Sequence, residues 1–123
     1  MTGMHRMTDY LQVMASSEMR EPTFLLLTAL AGQPHHGYAL IQEIEHLSGG
    51  RVRLKPGTLY GALDRLTSEG LITQSGEEVV EGRLRRYYTL TTTGAGTLER
   101  ETQRLRANVE AATTRLRTRG ATS

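Results

Sequence analysis

Phe24, Leu25, Leu26, Leu27, Ala29, Leu30 and Ala31 follow one another with hardly a polar break. A helix this apolar has no solvent face and must be covered on most sides. Pro22 suits its first turn, where a missing N–H costs nothing. Gly32 followed by Pro34 ends it in the usual order of C-cap glycine and then proline. A chain of 123 residues fits one domain with an appended helix around such a core.

The neighbouring segments supply the cover. Leu40, Ile41, Ile44 and Leu47 lie on one face of a helix predicted over 37–47, with Gln42, Glu43 and Glu45 on the other. Ser48, Gly49 and Gly50 stop it, and the alternation of Arg51 to Lys55 predicts a short extended stretch. Pro56 opens a third helix, in which Leu59, Ala62, Leu63 and Leu66 share a face, and Gly70 closes it. Leu71–Ile72 and Arg83–Leu90 read as two strands, with polar Ser75–Gly82 as the turn between them. From Thr93 to Arg119 the pattern is helical and charged. Leu98, Thr102, Leu105, Val109, Ala112 and Leu116 step by four and three, an a/d seam. Met7, Tyr10, Leu11 and Met14 suggest a short amphipathic helix near the start.

Three short helices, a hairpin and a long helix make a winged helix-turn-helix. The fold class is mainly α with a small β-hairpin and a C-terminal dimerisation helix. The expected division is 1–18 as an N-terminal tail or amphipathic helix, 19–92 as the winged domain, and 93–123 as the dimerisation helix and tail. In such a fold the third helix enters a major groove and the hairpin touches backbone or minor groove. Net charge is only +2, so distribution matters more than the total. Arg51, Arg53 and Lys55 form one basic cluster with no acid between them, and Arg83, Arg85 and Arg86 form a second.

Other classes fare worse. The chain has no Cys, which excludes a disulfide framework and Cys-ligated zinc. His35 and His36 lie in the turn before helix two, where polar capping is their expected use, and no catalytic or metal-binding residues are assigned. No nucleophile elbow, phosphate loop or paired carboxylate spacing points to an enzyme, and no cofactor is implied. Without an apolar run of membrane-spanning length, no membrane partner is expected, and a cytoplasmic location follows by default.

Several blocks resemble the PadR-like transcriptional regulators. His36-Gly37-Tyr38 followed by Ile44 resembles the family's opening of helix two. Ser48-Gly49-Gly50, Pro56-Gly57-Thr58-Leu59-Tyr60 and Leu63, Leu66, Gly70, Leu71, Ile72 resemble its recognition-helix block. Gly82-Arg83, Arg85-Arg86-Tyr87-Tyr88, Leu90-Thr91 and Gly94 resemble its wing and exit. Together they span about residues 22–98 and resemble the subgroup with a single C-terminal helix. Two positions depart: Lys55 stands where the family often has a Ser-like cap, and Leu84 where its wing often has Pro. The resemblance implies a negative regulator that responds to a small molecule or stress. Family members can bind flat aromatic ligands between their dimer helices, but with no Trp and one Phe a stacking sandwich is not expected here.

The candidate DNA-binding residues are therefore Lys55, Gly57, Thr58, Tyr60, Gly61, Asp64, Arg65, Arg83 and Arg85. Gly57 and Gly61 let the backbone approach closely. Thr58 and Tyr60 can donate to phosphate, and Arg65 can read guanine bidentately or pair with Glu69 at i+4. Tyr60 has a competing role as a core or rim aromatic. Candidate dimer residues are Tyr10, Leu11, Met14, Leu98, Leu105, Val109 and Leu116. The expected partners are a palindromic duplex operator, a second copy of the chain and an unidentified effector. The competing readings are a winged protein–protein module, and a small-molecule-binding protein whose DNA role is secondary.

Overall fold

The structure is a computed structural model describing residues 19–122. The expected amphipathic segment with Tyr10, Leu11 and Met14 lies outside those residues. Helix α1 (Glu21–Gly32) is the central element, with Pro22 in its first turn and Leu26, Leu27, Ala29 and Leu30 buried. A two-residue strand β1 (His35–His36) leads into α2 (Gly37–Leu47), and α3 (Pro56–Ser68) follows. The hairpin strands β2 (Ile72–Val80) and β3 (Arg83–Leu90) come next, then the 31-residue helix α4 (Thr92–Thr122). The sheet is antiparallel, ordered β1-β3-β2.

Helix α1 packs against α2, α4 and β3, which explains its all-round apolarity. Leu26, Leu27 and Leu30 of α1 meet Leu40 and Ile44 of α2, Leu59, Leu63 and Leu66 of α3, Ile72 of β2 and Tyr88 of β3 in one cluster. The apolar face predicted for α3 is the one found, with Ala62 partly buried at its edge. Each fully buried Leu contributes roughly 1.5–3 kcal/mol, so this cluster dominates the stability of the domain.

The turn between α2 and α3 is held by glycine and serine. Gly49 and Gly50 take φ of 64° and 88°, and the Gly50 N–H donates back to the Glu45 carbonyl at 2.8 Å. The buried Ser48 hydroxyl donates to the Glu45 carbonyl and accepts from the Val52 N–H. Residues 51–55 form no strand: the chain bends at Arg51 and is extended at Lys55, with Val52 and Leu54 leaning on the core.

Two expectations about the hairpin are corrected. The segment 75–80 is strand rather than turn. Glu77, Glu78, Val79 and Val80 pair in register with Arg86, Arg85, Leu84 and Arg83, and the irregularity at Ser75 is a bulge. The actual turn is Glu81–Gly82, with φ of 52° and 77°, the geometry of a two-residue primed turn. Residues 35–36 are not simply a turn: β1 adds a third strand, pairing His35 with Tyr88 and His36 with Tyr87.

Thr91 stands just before α4, and its hydroxyl accepts from the Gly94 N–H and donates to the Gly70 carbonyl. The first turns of α4 belong to the domain body. A Cβ on Gly94 would lie 2.0 Å from the Leu71 carbonyl oxygen, so only glycine allows the helix so close to the β2 entry. Leu98 leans on the core, and the buried Glu101 carboxylate accepts from the Met19 N–H at 3.0 Å and pairs with Arg104. Beyond Arg104 nearly every residue is exposed. No described helix is long and apolar enough to cross a membrane.

Candidate nucleic-acid interface

The exposed side of α3 and the inward face of the wing bound an open groove of about 800 Å³. Tyr60 and Asp64 come from α3, and Arg83, Leu84, Arg85, Arg86 and Tyr88 from β3. His36, Gly37 and Tyr38 close the end. Leu59, Leu63 and Leu66 point into the core, so helical spacing alone places Gly57, Thr58, Gly61, Asp64 and Arg65 outward, and all are exposed.

Tyr60 combines its two expected roles. Its ring lies against Gly37, where a Cβ would come within 2.7 Å of the hydroxyl, so the glycine at the start of α2 makes room for it. The side chain nevertheless stays half exposed in the groove. Arg65 donates to the Thr23 hydroxyl of α1 at 3.1 Å, and its contact with Glu69, at 4.0 Å, is marginal. Its guanidinium thus lies towards the α1 side of α3, beside Thr58 and Gly61.

The cations separate into paired and unpaired groups, which charge counting along the sequence does not show. Arg51 is held by Glu21 at 2.5 Å and Arg53 by Glu45 at 3.2 Å, so both arginines of the first basic cluster are neutralised by acids from other elements. Arg86 pairs across the ribbon with Glu77 at 3.6 Å. Among the described residues, Lys55, Arg83 and Arg85 have no ion-pair partner. Glu78, opposite Arg85, instead accepts from the Tyr87 hydroxyl at 2.7 Å, which raises the tyrosine's pKa above its ordinary value. Lys55 precedes Pro56 without a side-chain cap bond.

Of the paired tyrosines, Tyr88 is the buried one, and burial raises its pKa. Tyr87 lies on the opposite face, its ring edge-to-face with His36. His36 caps α2 as expected, its Nδ1 accepting a long bond from the Ala39 N–H at 3.5 Å. Burial, then the charges of Arg85 and His35, lower its pKa, against the opposing pull of Glu78. The neutral ring is therefore the form that caps. His36, Tyr38, Leu84 and Arg86 are groove residues that the sequence reading does not assign to the interface. The signal for Tyr38 is its place in the first turn of α2, beside a glycine.

The arrangement of α2, turn and α3, flanked by an antiparallel wing with unpaired cations, defines a winged helix-turn-helix protein. The profile of the transcriptional regulator PadR-like family matches residues 26–100, and the chain belongs to that family. Its members are transcriptional regulators rather than enzymes. The chain is 43% identical over 70 residues to the transcriptional regulator Rv3488 of Mycobacterium tuberculosis, covering 57% of this chain and 62% of that protein. It is 48% identical over 77 residues to an uncharacterized transposon protein of Streptomyces fradiae, covering 63% of this chain and 21% of the relative. The chain thus spans less than two-thirds of the length of these curated relatives. Among solved structures, a PadR family transcription regulator of Clostridium difficile superposes with a TM-score of 0.65 at 28% identity, covering 79% of this chain and 99% of that one. Bacillus subtilis PadR in complex with operator DNA superposes with a TM-score of 0.58 at 26% identity, covering 67% of this chain and 46% of that one.

Proposed function

We propose that this chain regulates transcription by binding a palindromic duplex operator as a homodimer, in the cytoplasm, as a repressor relieved by a small molecule or stress signal. The observation that carries the DNA reading is the presence of cations outside ion pairs on the wing and at the start of α3. Among the described residues, Arg83 and Arg85 in the groove and Lys55 ahead of α3 form no ion pair, while Arg51, Arg53 and Arg86 do. Unpaired cations on the wing and at the start of α3 are the electrostatic footprint expected of phosphate contact. The likeness to Bacillus subtilis PadR, solved with operator DNA, supports the same reading.

In this reading α3 enters the major groove, where Gly57 and Gly61 allow close approach. Thr58, Tyr60 and Lys55 contact phosphate, and Arg65 exchanges its bond with Thr23 for a guanine edge. Asp64 accepts from a cytosine amino group. Arg83 and Arg85 hold the wing to the adjacent backbone.

Salt dependence tests it. Replacing Arg83 and Arg85 with Ala should flatten the log–log dependence of duplex affinity on salt by about 0.9 for each phosphate no longer neutralised. Fluorescence anisotropy over a salt series reads this directly. A slope equal to that of the parent protein, with the domain still folded, would place the wing off the DNA. A parent protein with no salt-dependent duplex binding would favour a protein–protein module instead.

A further inference from the structure

Arg51, Arg53 and Lys55 form an outward row that leads into α3. Val52 and Leu54 between them lean on the core, so the three cations stand exposed at alternate positions. Neighbours in the row are at most about 7 Å apart along the chain, close enough for all three to follow one phosphate strand. Lys55, at the α3 end, forms no ion pair. The other two are each held by an acid from a different helix. Glu21, at the start of α1, takes Arg51 through two bonds, Nη1 to Oε2 at 3.3 Å and Nη2 to Oε1 at 2.5 Å. Glu45 of α2 takes the Arg53 Nε at 3.2 Å. Glu43 of α2, Asp64 of α3 and Glu69 just after α3 form no ion pair with the row.

These pairs do little for the fold. The Arg51 and Arg53 side chains are 65% and 74% exposed, and surface ion pairs of that kind add little stability. The turn they flank is fixed without them, by Gly49, Gly50 and the Ser48 hydroxyl. Their effect is on the field outside. The bond from Arg51 lowers the Glu21 pKa, so the carboxylate stays ionised beside it. A phosphate approaching either guanidinium meets a negative charge just behind it, and feels a dipole in place of a full cation. Lys55 presents its full charge because it has no such partner.

We infer that Arg51 and Arg53 are a held-back extension of the DNA-binding surface, and that Glu21 and Glu45 set how strongly the chain grips any duplex by keeping both arginines off phosphate. This rests on the duplex binding proposed above. Sequence-independent affinity grows with the number of phosphates neutralised. Two added contacts would strengthen binding to every duplex alike, since phosphate carries no base identity. A regulator with that stronger grip would stay longer on the far more numerous unrelated sites. Glu21 and Glu45 thus act as affinity-setting residues that touch no DNA themselves.

The test measures the anisotropy of two fluorescent duplexes of unrelated sequence over a salt series. E21Q should steepen the log–log slope by about 0.9, E45Q by the same, and E21Q/E45Q by about 1.8, one phosphate for each arginine released. The gain in affinity should be the same on both duplexes. E21Q/R51Q and E45Q/R53Q, which remove each acid together with its arginine, should return the parent slope. E99Q removes an exposed acid of α4 and changes net charge equally, and it should also keep the parent slope. Melting temperatures should fall by only a few degrees. Glu45 lies on a different helix from Glu21, so the test does not hang on the start of α1. A parent slope in E21Q or E45Q would overturn the inference for that arginine. An equal steepening in E99Q would overturn it for both, by making net charge the cause. A slope below the parent's in the paired-removal variants would also overturn it, because the arginines would already be on phosphate. A parent protein with no salt-dependent duplex binding would remove the DNA reading itself.

Discussion

Gly94 is the described glycine with least room for a side chain. Its missing side chain lets α4 lie on the Leu71 carbonyl, and that carbonyl is itself fixed by accepting from the Thr91 N–H at 3.1 Å. A methyl group there would meet backbone on one side and Leu90 on the other, neither able to rotate away as an exposed side chain could. Gly94→Ala should therefore cost about 3 kcal/mol or more, the upper range for overpacking. Urea unfolding followed by circular dichroism measures it, and a loss below about 1 kcal/mol, the lower end of that range, would mean that α4 can shift. Single residues were unevenly legible in the sequence. The inward set of α3 could be read from its spacing, since period and burial coincide in an amphipathic helix. The pairing of Arg51 with Glu21 and of Arg53 with Glu45 could not, because the partners lie on other elements, brought close only by the tertiary fold.

The helices of the body and strand β3 were legible, and the outer half of β2 and strand β1 were not. Apolar periodicity needs one wet and one dry face, and α2 and α3 have both. The outer half of β2 is wet on both faces, so Glu77 and Glu78 read as loop residues when they are rungs opposite Arg86 and Arg85. The two-residue β1 is too short for any pattern. Its partner β3 holds it in place. The same ribbon carries a correctable cost at its tip. Glu81 adopts φ of 52°, a left-handed conformation that most L-residues resist and Asn tolerates. Asn-Gly is a preferred pair for this turn. Glu81→Asn should stabilise the protein by up to about 1 kcal/mol, seen as a higher melting temperature. A lower one would show that the Glu81 side chain holds the tip in some other way.

At the scale of the whole molecule, α4 is a helix of about 46 Å that its own domain covers only at the base. Leu98 is spent on the domain core, and the Thr102 hydroxyl is turned back to the Leu98 carbonyl. Leu105, Val109 and Leu116 are left exposed along the free part. In the proposed homodimer these three form the subunit contact. Leu105→Asp should then give monomers in sedimentation and abolish operator binding, with the circular dichroism of the winged domain kept. A variant that remains a tight dimer would move the interface elsewhere. The mechanical consequence follows from where the helix is clamped. The Glu101 carboxylate, tied to the backbone entering α1, acts as a fulcrum, and the arm beyond it extends about 32 Å. Tilting such an arm by about 5° displaces its far end by about 3 Å. Two half-sites one helical turn apart require their reading helices about 34 Å apart. In the proposed homodimer, tilting by the same angle about the far end of the arm would instead shift the body end, and the winged domain with it, by about the same 3 Å, nearly one base-pair rise.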